Sequence, residues 1–338
     1  MKRVLRYQSA AAGILLAGIL VAASAFTADA QSSSPAQVDF LQAYVPSSEF
    51  VYFVVADKKG FYKDVGINFV QHAGSGSANT VKVVGAGQYP LGLADAALIL
   101  AGKQSGVPIQ AVMGFYGTTP SSVISLKSTH INSLEDLVGK TLASEAAGST
   151  TPMWRAAMVA AHVPLDKVHW VAIDPSAKVP SLLLGKVDAI LGQLQPIVIE
   201  AQGKQVNVVP LGDVIHVIAD SVLVNANWLS QPGNDRVLRG FIAATLKGIE
   251  YTKDHVSEAV DLTNAEYPTL SKDILSKQLA MEQHWIWTPQ AVKNGVGQMS
   301  AEQWQNLEMI VLDAKILQGP VAINTVYTNA YLPPNLPH

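Results

Sequence analysis

The chain of 338 residues contains no cysteine. That absence excludes disulfides, thiol catalysis, thiolate-bound metal and a lipid-modified cysteine, so stability has to come from packing. Charge is also sparse: Asp, Glu, Lys and Arg make up 14% of the residues and the formal net charge is −3. There is no basic patch and no run of like charge, which argues against nucleic acid as a partner. Motif chemistry is missing as well: the sequence holds no Gly-x-Ser-x-Gly, no Gly-x-x-x-x-Gly-Lys-Ser/Thr and no paired-carboxylate signature. The histidines (His72, His130, His162, His169, His216, His255, His284 and His338) form no His-x-x-x-His pair, which suggests surface or structural roles rather than metal ligation. Beyond residue 30 no stretch is long and apolar enough to span a bilayer.

What is present begins with a three-part start. Lys2, Arg3 and Arg6 precede an uncharged apolar stretch, Ala10–Ala25, and Ala28-Asp29-Ala30 places small residues ahead of Gln31. Residues 1–30 read as a secretory signal, with the mature protein expected in the periplasm. A single membrane anchor is the rival reading, and the small residues at Ala28 and Ala30 favour cleavage over it. Residues 31–37 are small and polar and suit a disordered leader. With 49% hydrophobic residues, the remainder can bury a large core divided between two domains.

A motif then appears twice, about 100 residues apart. The first copy is a strand at Phe40–Ala43, a polar turn, a helix from Phe50 to Lys59, a strand at Ile67–Val70, a helix at Asn79–Ala86 and a run ending at Asp95. The second has a strand at Lys140–Ala143, a turn at Ala147–Thr150, a helix at Pro152–His162, a strand at Val168–Ile173, a helix at Ala177–Leu184 and a run ending at Gly192. Between them, Ile109–Phe115 and Ser122–Leu126 read as strands and Thr129–Leu137 as a helix with acids in its first turn. Val206–Pro210 and Val214–Ala219 look strand-like, Asp220–Ala226 continues apolar, and helical periodicity dominates from Asp235 onward. Two similar units imply two lobes: residues 38–118 with 220–338, and an inserted 119–219. The chain would cross between them twice, which makes a hinge with defined closure.

Several segments carry a resemblance to a family. They are Asp57–Gly66, Gly74-Ser-Gly-Ser77 followed by a helix and Leu93-Ala94-Asp95, Ser133–Lys140, Leu183–Ala189 and Val326–Pro333. Together they resemble the substrate-binding proteins of ABC transporters that bind sulfonates, taurine or the thiamine pyrimidine precursor, a superfamily that also contains thiamine-pyrimidine synthases. The resemblance implies an α/β fold of the type II periplasmic-binding-protein class, two lobes joined by a two-strand hinge. It implies a monomer that captures a small polar or aromatic ligand and docks transiently on a membrane permease, without cofactor or catalysis. The cysteine-rich motif of the synthases is absent, yet a synthase-like enzyme and a ligand-sensing module both stay open.

The candidate ligand-binding residues follow. Gly74, Ser75, Gly76 and Ser77 precede a helix whose free amides suit an acceptor; the alternative is a plain capped turn. Gly148, Ser149 and Thr150 form the matching turn of the second copy. Ser47, Glu49 and Tyr52 follow the first strand, where the resemblance places the cleft. Glu49 either receives a ring amine or serves as a first-turn acid, and Tyr52 either stacks on a flat ligand or packs in the core. Asp95 either binds ligand or caps the next helix. Tyr116 lies at the expected hinge, and Trp154 is either an aromatic lid or core. Asp174 and Gln193 end strands of the second unit.

Overall fold

In the computed structural model the described residues are 34–145 and 150–338. The expected export signal 1–30, and Gly148 and Ser149, lie outside them. The strands in chain order are β1 Ala36–Leu41, β2 Ile67–His72, β3 Leu91–Asp95, β4 Ile109–Gly114, β5 Ser122–Leu126, β6 Thr141–Ser144, β7 His169–Ala172, β8 Ala189–Gly192, β9 Val206–Pro210 and β10 Asp220–Asn225. They form two five-stranded sheets, ordered β2-β1-β3-β10-β4 and β7-β6-β8-β5-β9. The first sheet is the base of lobe I and the second of lobe II.

The repeat in the sequence is a repeat of topology. In each sheet three strands run parallel and are linked through helices, as parallel neighbours require. The fourth position in each sheet is antiparallel to both of its neighbours, and it is filled by the strand that arrives from the other lobe: β10 in the first sheet and β5 in the second. The two crossing segments, residues 115–121 and 211–219, run side by side. The amides of Phe115 and Tyr116 both donate to the Asp220 carbonyl at 2.8 and 3.0 Å, and Leu211 N donates to Ser121 O at 3.0 Å.

Lobe I has an aromatic core. Phe40, Phe53, Phe69, Phe241 and Tyr62 pack with centroids 4.2 to 6.4 Å apart. Helix Asn234–Asp254 supplies its outer layer through Leu238, Phe241, Ile242 and Ile249. A second apolar core is common to both lobes. It joins Ile109 and Leu223 of the first sheet to Val123, Leu142 and Leu191 of the second, with Trp154 and Trp304 between them. Helix Ala301–Asp313 therefore packs against both lobes, on helices Ala96–Gln104 and Thr150–Ala160.

Three expectations change. Ala36 and Gln37 are not part of a leader but pair with Ile67 and Asn68 in the β1–β2 ladder. Thr129–Leu137 is not a helix; it holds only the short 3-10 turns Lys127–Thr129 and Glu135–Leu137. The Asp136 carboxylate accepts from the amides of Asn132 and Ser133 at 2.8 and 3.0 Å, a local closure that competes with helical bonding. Val214–Ala219 is not a strand. Its apolar character serves burial of Val217, Ile218 and Ala219 in the crossing between lobes.

Candidate functional site

The first wall of the site is built by the loop after β2. Gly74 N donates to Tyr44 O at 2.8 Å and Gly76 N to Ala43 O at 2.7 Å, which clips the loop onto the end of β1. A side chain at Gly74 would put its Cβ 1.9 Å from Gln42 O, so only glycine permits this approach. Gly76 has φ +119°, and helix Ser77–Gly85 starts directly after it. The amides of Ser77 and Ala78 find no acceptor among the described residues. Ser77 Oγ accepts from Asp95 N at 3.0 Å, and the Asp95 carboxylate caps the next helix through Ala97 N at 2.8 Å. Asp95 thus does the capping work and keeps a face toward the cleft.

The second wall comes from lobe II. Thr151 Oγ1 sits 2.7 Å from Ser144 Oγ, and Trp170 Nε1 donates to the same Ser144 oxygen at 2.8 Å. Thr150 Oγ1 donates to Glu145 Oε2 at 3.4 Å. The other Glu145 oxygen holds the buried Lys178 ammonium at 2.7 Å, which also donates to Leu191 O at 3.0 Å. This network fixes the indole of Trp170 at the end of its sheet.

Between the walls lies a cleft of about 810 Å³. Tyr44, Gly76, Ser77, Ala78 and Asp95 line it from lobe I; Thr151, Pro152, Arg155 and Trp170 line it from lobe II; Asp313, Ala314 and Ile316 close one end. Arg155 is its one cationic lining residue among those described.

The electrostatics are one-sided. Glu49 is half-buried in lobe I, and burial followed by repulsion from Glu282 raises its carboxyl to about 8, partly offset by the Tyr116 hydroxyl. Burial raises Glu282 to about 7, offset by the hydroxyls of Ser48, Tyr52 and Tyr116. Asp220 is pushed well up by burial and then by Glu49 and Asp95. Asp95 is raised by burial, against the amides of Ala97 and Leu98. Tyr44 titrates high through burial and the neighbouring Asp220, Asp95 and Glu49; of these three, Asp95 lines the cleft and Glu49 and Asp220 do not.

Of the sequence candidates, Gly76, Ser77 and Asp95 line the cleft, and Gly74 shapes its loop. Ser75 is exposed and Ser47 makes no capping bond; neither lines the cleft. Tyr52 and Tyr116 are fully buried rather than open to a ligand face, Tyr52 edge-on to Phe115 at 5.5 Å and Tyr116 edge-on to Trp285 at 5.4 Å. Trp154 is not a lid: it is 1% exposed, because it shares the buried face of its helix with Met153, Ala157 and Met158. Its neighbour Arg155 takes the outward position. Thr150 supports Glu145. Asp174 is exposed and caps a short turn through Ser176 N at 2.8 Å. Gln193 lines a separate void of about 20 Å³ at the crossing segments, with Asp95, Ser121 and Ala219. The sequence reading did not single out Tyr44, Arg155, Trp170, Asp220 or Glu282. Among the described residues no group of three His, Asp or Glu side chains gathers as a metal site.

Comparison with known proteins agrees with this architecture. A riboflavin-binding protein, RibY, of Chloroflexus aurantiacus is 25% identical over 95% of this chain and 96% of its own length. A 4-amino-5-hydroxymethyl-2-methylpyrimidine phosphate synthase of Legionella pneumophila is 22% identical over 90% of this chain and 95% of its own. Among solved structures, the periplasmic aliphatic sulphonate binding protein SsuA of Escherichia coli superposes with TM-score 0.69 at 14% identity, covering 88% of this chain and 99% of that one. It shares the periplasmic-binding-protein fold. The family model described as NMT1/THI5 like matches residues 47–259, more than half of the sequence, and the chain belongs to that family.

Proposed function

We propose that the chain is an exported solute-binding protein that closes two lobes on a flat, nitrogen-containing ring compound and presents the closed form to an ABC-type permease. The observation that carries this reading is the cleft. Its volume falls within the roughly 300–1,000 Å³ typical of small-molecule sites. Tyr44 and Trp170 reach it from opposite lobes, so that closure would bring an aromatic face to each side of a ring. The open amides of Ser77 and Ala78 supply donors for a ring carbonyl at one edge. Two relatives are named for heterocycles, a flavin in one and a pyrimidine in the other, and that agrees with the cleft's chemistry. An enzymatic reading finds less support. No lysine lines the cleft among the described residues, and the buried Lys178 is committed to Glu145 and Leu191.

The test is a titration of the mature protein with riboflavin, 4-amino-5-hydroxymethyl-2-methylpyrimidine and ethanesulfonate, followed by tryptophan fluorescence and thermal melting. A heterocycle that saturates the cleft should quench Trp170. It should also stabilise the fold by about 2.7 kcal/mol at a hundredfold excess over Kd. Saturable binding of ethanesulfonate alone would overturn the ring-compound assignment, and no binding of any of the three would overturn the solute-binding role for these classes.

A further inference from the structure

The cleft does not end at its own walls. A second space of about 440 Å³ adjoins it, and Pro152, Arg155 and Asp313 line both. Helix Thr150–Ala160 of lobe II forms one side of this groove and helix Ala301–Asp313 the other. Its floor is made by Leu165, Val214, Ile215 and Ile310, the outer part of the core common to both lobes.

The spacing along the two helices gives the groove a charged mouth and an apolar interior. Arg155 and Val159 are one turn apart on the first helix, and Met309 and Asp313 are one turn apart on the second. All four line the groove; the charged pair also lines the cleft and the apolar pair does not. Val159 is 64% exposed and Met309 61%. Single exposed aliphatics are ordinary on a protein surface, but here two large ones stand with an apolar floor in one concave place. Of the polar lining, Asn306 is already committed: its Nδ2 donates to the His216 carbonyl at 2.9 Å, which ties the helix to the crossing segment.

No ion pair bars the way between the two spaces. The Arg155 guanidinium stands near the indoles of Trp154 and Trp170, 6.0 and 5.9 Å from the ring centroids. Among the described residues it forms no salt bridge, so Arg155 and Asp313 do not close on each other across the junction. A molecule at this end of the cleft meets the groove directly. The three shared lining residues make the cleft's own ligand the occupant, rather than a separate protein.

Resting on the solute-binding reading above, we infer that the ligand is a ring compound bearing an apolar arm, alkyl or aryl, and that this groove is the arm's subsite. The ring lies between Tyr44 and Trp170, and the arm passes Arg155 and Asp313 to rest against Val159, Met309 and the floor. Burying the arm removes apolar surface from water on both sides, a contribution that scales with the area covered and not with hydrogen bonding. The aliphatic stem of Arg155 can cover part of the arm while its head stays in water. A bare single-ring pyrimidine would leave the groove wet and gain nothing from it. The cleft thus selects for the ring and the groove for what the ring carries.

The experiment titrates the mature protein with lumiflavin, with 4-amino-5-hydroxymethyl-2-methylpyrimidine, and with analogues of each in which hexyl replaces one methyl group at a time or caps the hydroxymethyl oxygen. Wild type, Val159→Glu and Met309→Glu are compared, and thermal melting confirms that each is folded. The readout is the affinity of a hexyl analogue relative to its parent within each protein. At about fourfold per buried methylene, at least one hexyl analogue should bind the wild type about ten- to a hundredfold more tightly than its parent. That gain should shrink toward parity in both Glu variants. A second readout is taken on wild type labelled at its methionine methyl groups, with Met309 assigned by its loss in the conservative Met309→Leu. The Met309 resonance should move on saturation with the favoured analogue and stay in place with the parent. Parent rings that saturate while no hexyl analogue gains, a gain that survives in both variants, or a Met309 resonance that ignores the bound analogue would each overturn the subsite and leave the solute-binding reading intact. Saturation by neither parents nor analogues would overturn both.

Discussion

Glu282 shows most directly what the burial of one ionisable side chain does to stability. It sits on the buried face of its helix with Leu275, Leu279 and Ile286, where an aliphatic residue would pack without an ionisation cost. Burial raises its carboxyl from 4.5 to about 7, so between those values the folded state holds a proton that the unfolded state has released. The sign follows from that difference: the stability associated with this proton is complete below about 4.5 and is lost as pH rises through about 7. Glu282→Gln keeps the shape and the Ser48 partner but removes the charge. The variant should therefore match the wild type near pH 4.5 and exceed it above pH 7 by a few kcal/mol at most. Chemical denaturation at the two pH values checks this, and equal stability of the two proteins at both would show that the carboxylate is solvated after all. A charged residue set in an apolar helical stripe was the signal available for Glu282, and the sequence reading passed it over. Trp154 shows the opposite case, since a helix-start tryptophan looks like a lid until the Met153, Ala157 and Met158 face is seen around it.

At the scale of the element, the loop from Gly74 to Ser77 is a backbone device. Its two amide bonds to the end of β1 set where helix Ser77–Gly85 begins, and hence where its open amides point. Gly74→Ala would drive a Cβ to within 2.7 Å of both Gln42 O and Ala43 O. Main-chain atoms in a sheet cannot retreat like a flexible side chain, so the loop has to lift. The variant should lose on the order of 2 kcal/mol of stability and most heterocycle affinity, measured by melting and by titration. Retained affinity would show that the helix start is not a ligand contact. Much of this level was legible in advance. Strand and helix periodicities, the polar turns and the duplicated order of elements are local properties, and they surface as two sheets of the same strand order. What was not legible is what the fold brings together from afar. Tyr44 and Trp170 line one cleft although one follows β1 and the other lies in β7. Asp95 and Asp220 become cross-strand partners only after the chain has crossed between lobes twice. Thr129–Leu137 misled because Asp136 satisfies two amides through its side chain, which no apolar pattern discloses.

For the whole molecule, the question is how two lobes with a common core can move. The crossing segments are bonded to each other at both ends, through Tyr116 and Asp220 at one and Ser121 and Leu211 at the other. Helix Ala301–Asp313 adds a third tie, with Trp304 and Leu307 buried against both lobes. Packed cores resist gradual deformation, so the proposed closure would be a bend of the crossing pair with small sliding along this helix, rather than free swinging of two bodies. Asp220 opens β10 directly after that pair, and its carbonyl receives the Phe115 and Tyr116 amides. Small-angle scattering of the mature protein should show contraction at a heterocycle concentration that saturates tryptophan quenching. An unchanged curve in the wild type, with saturation demonstrated, would mean that the cleft is a rigid pocket and that a permease has no closed form to recognise.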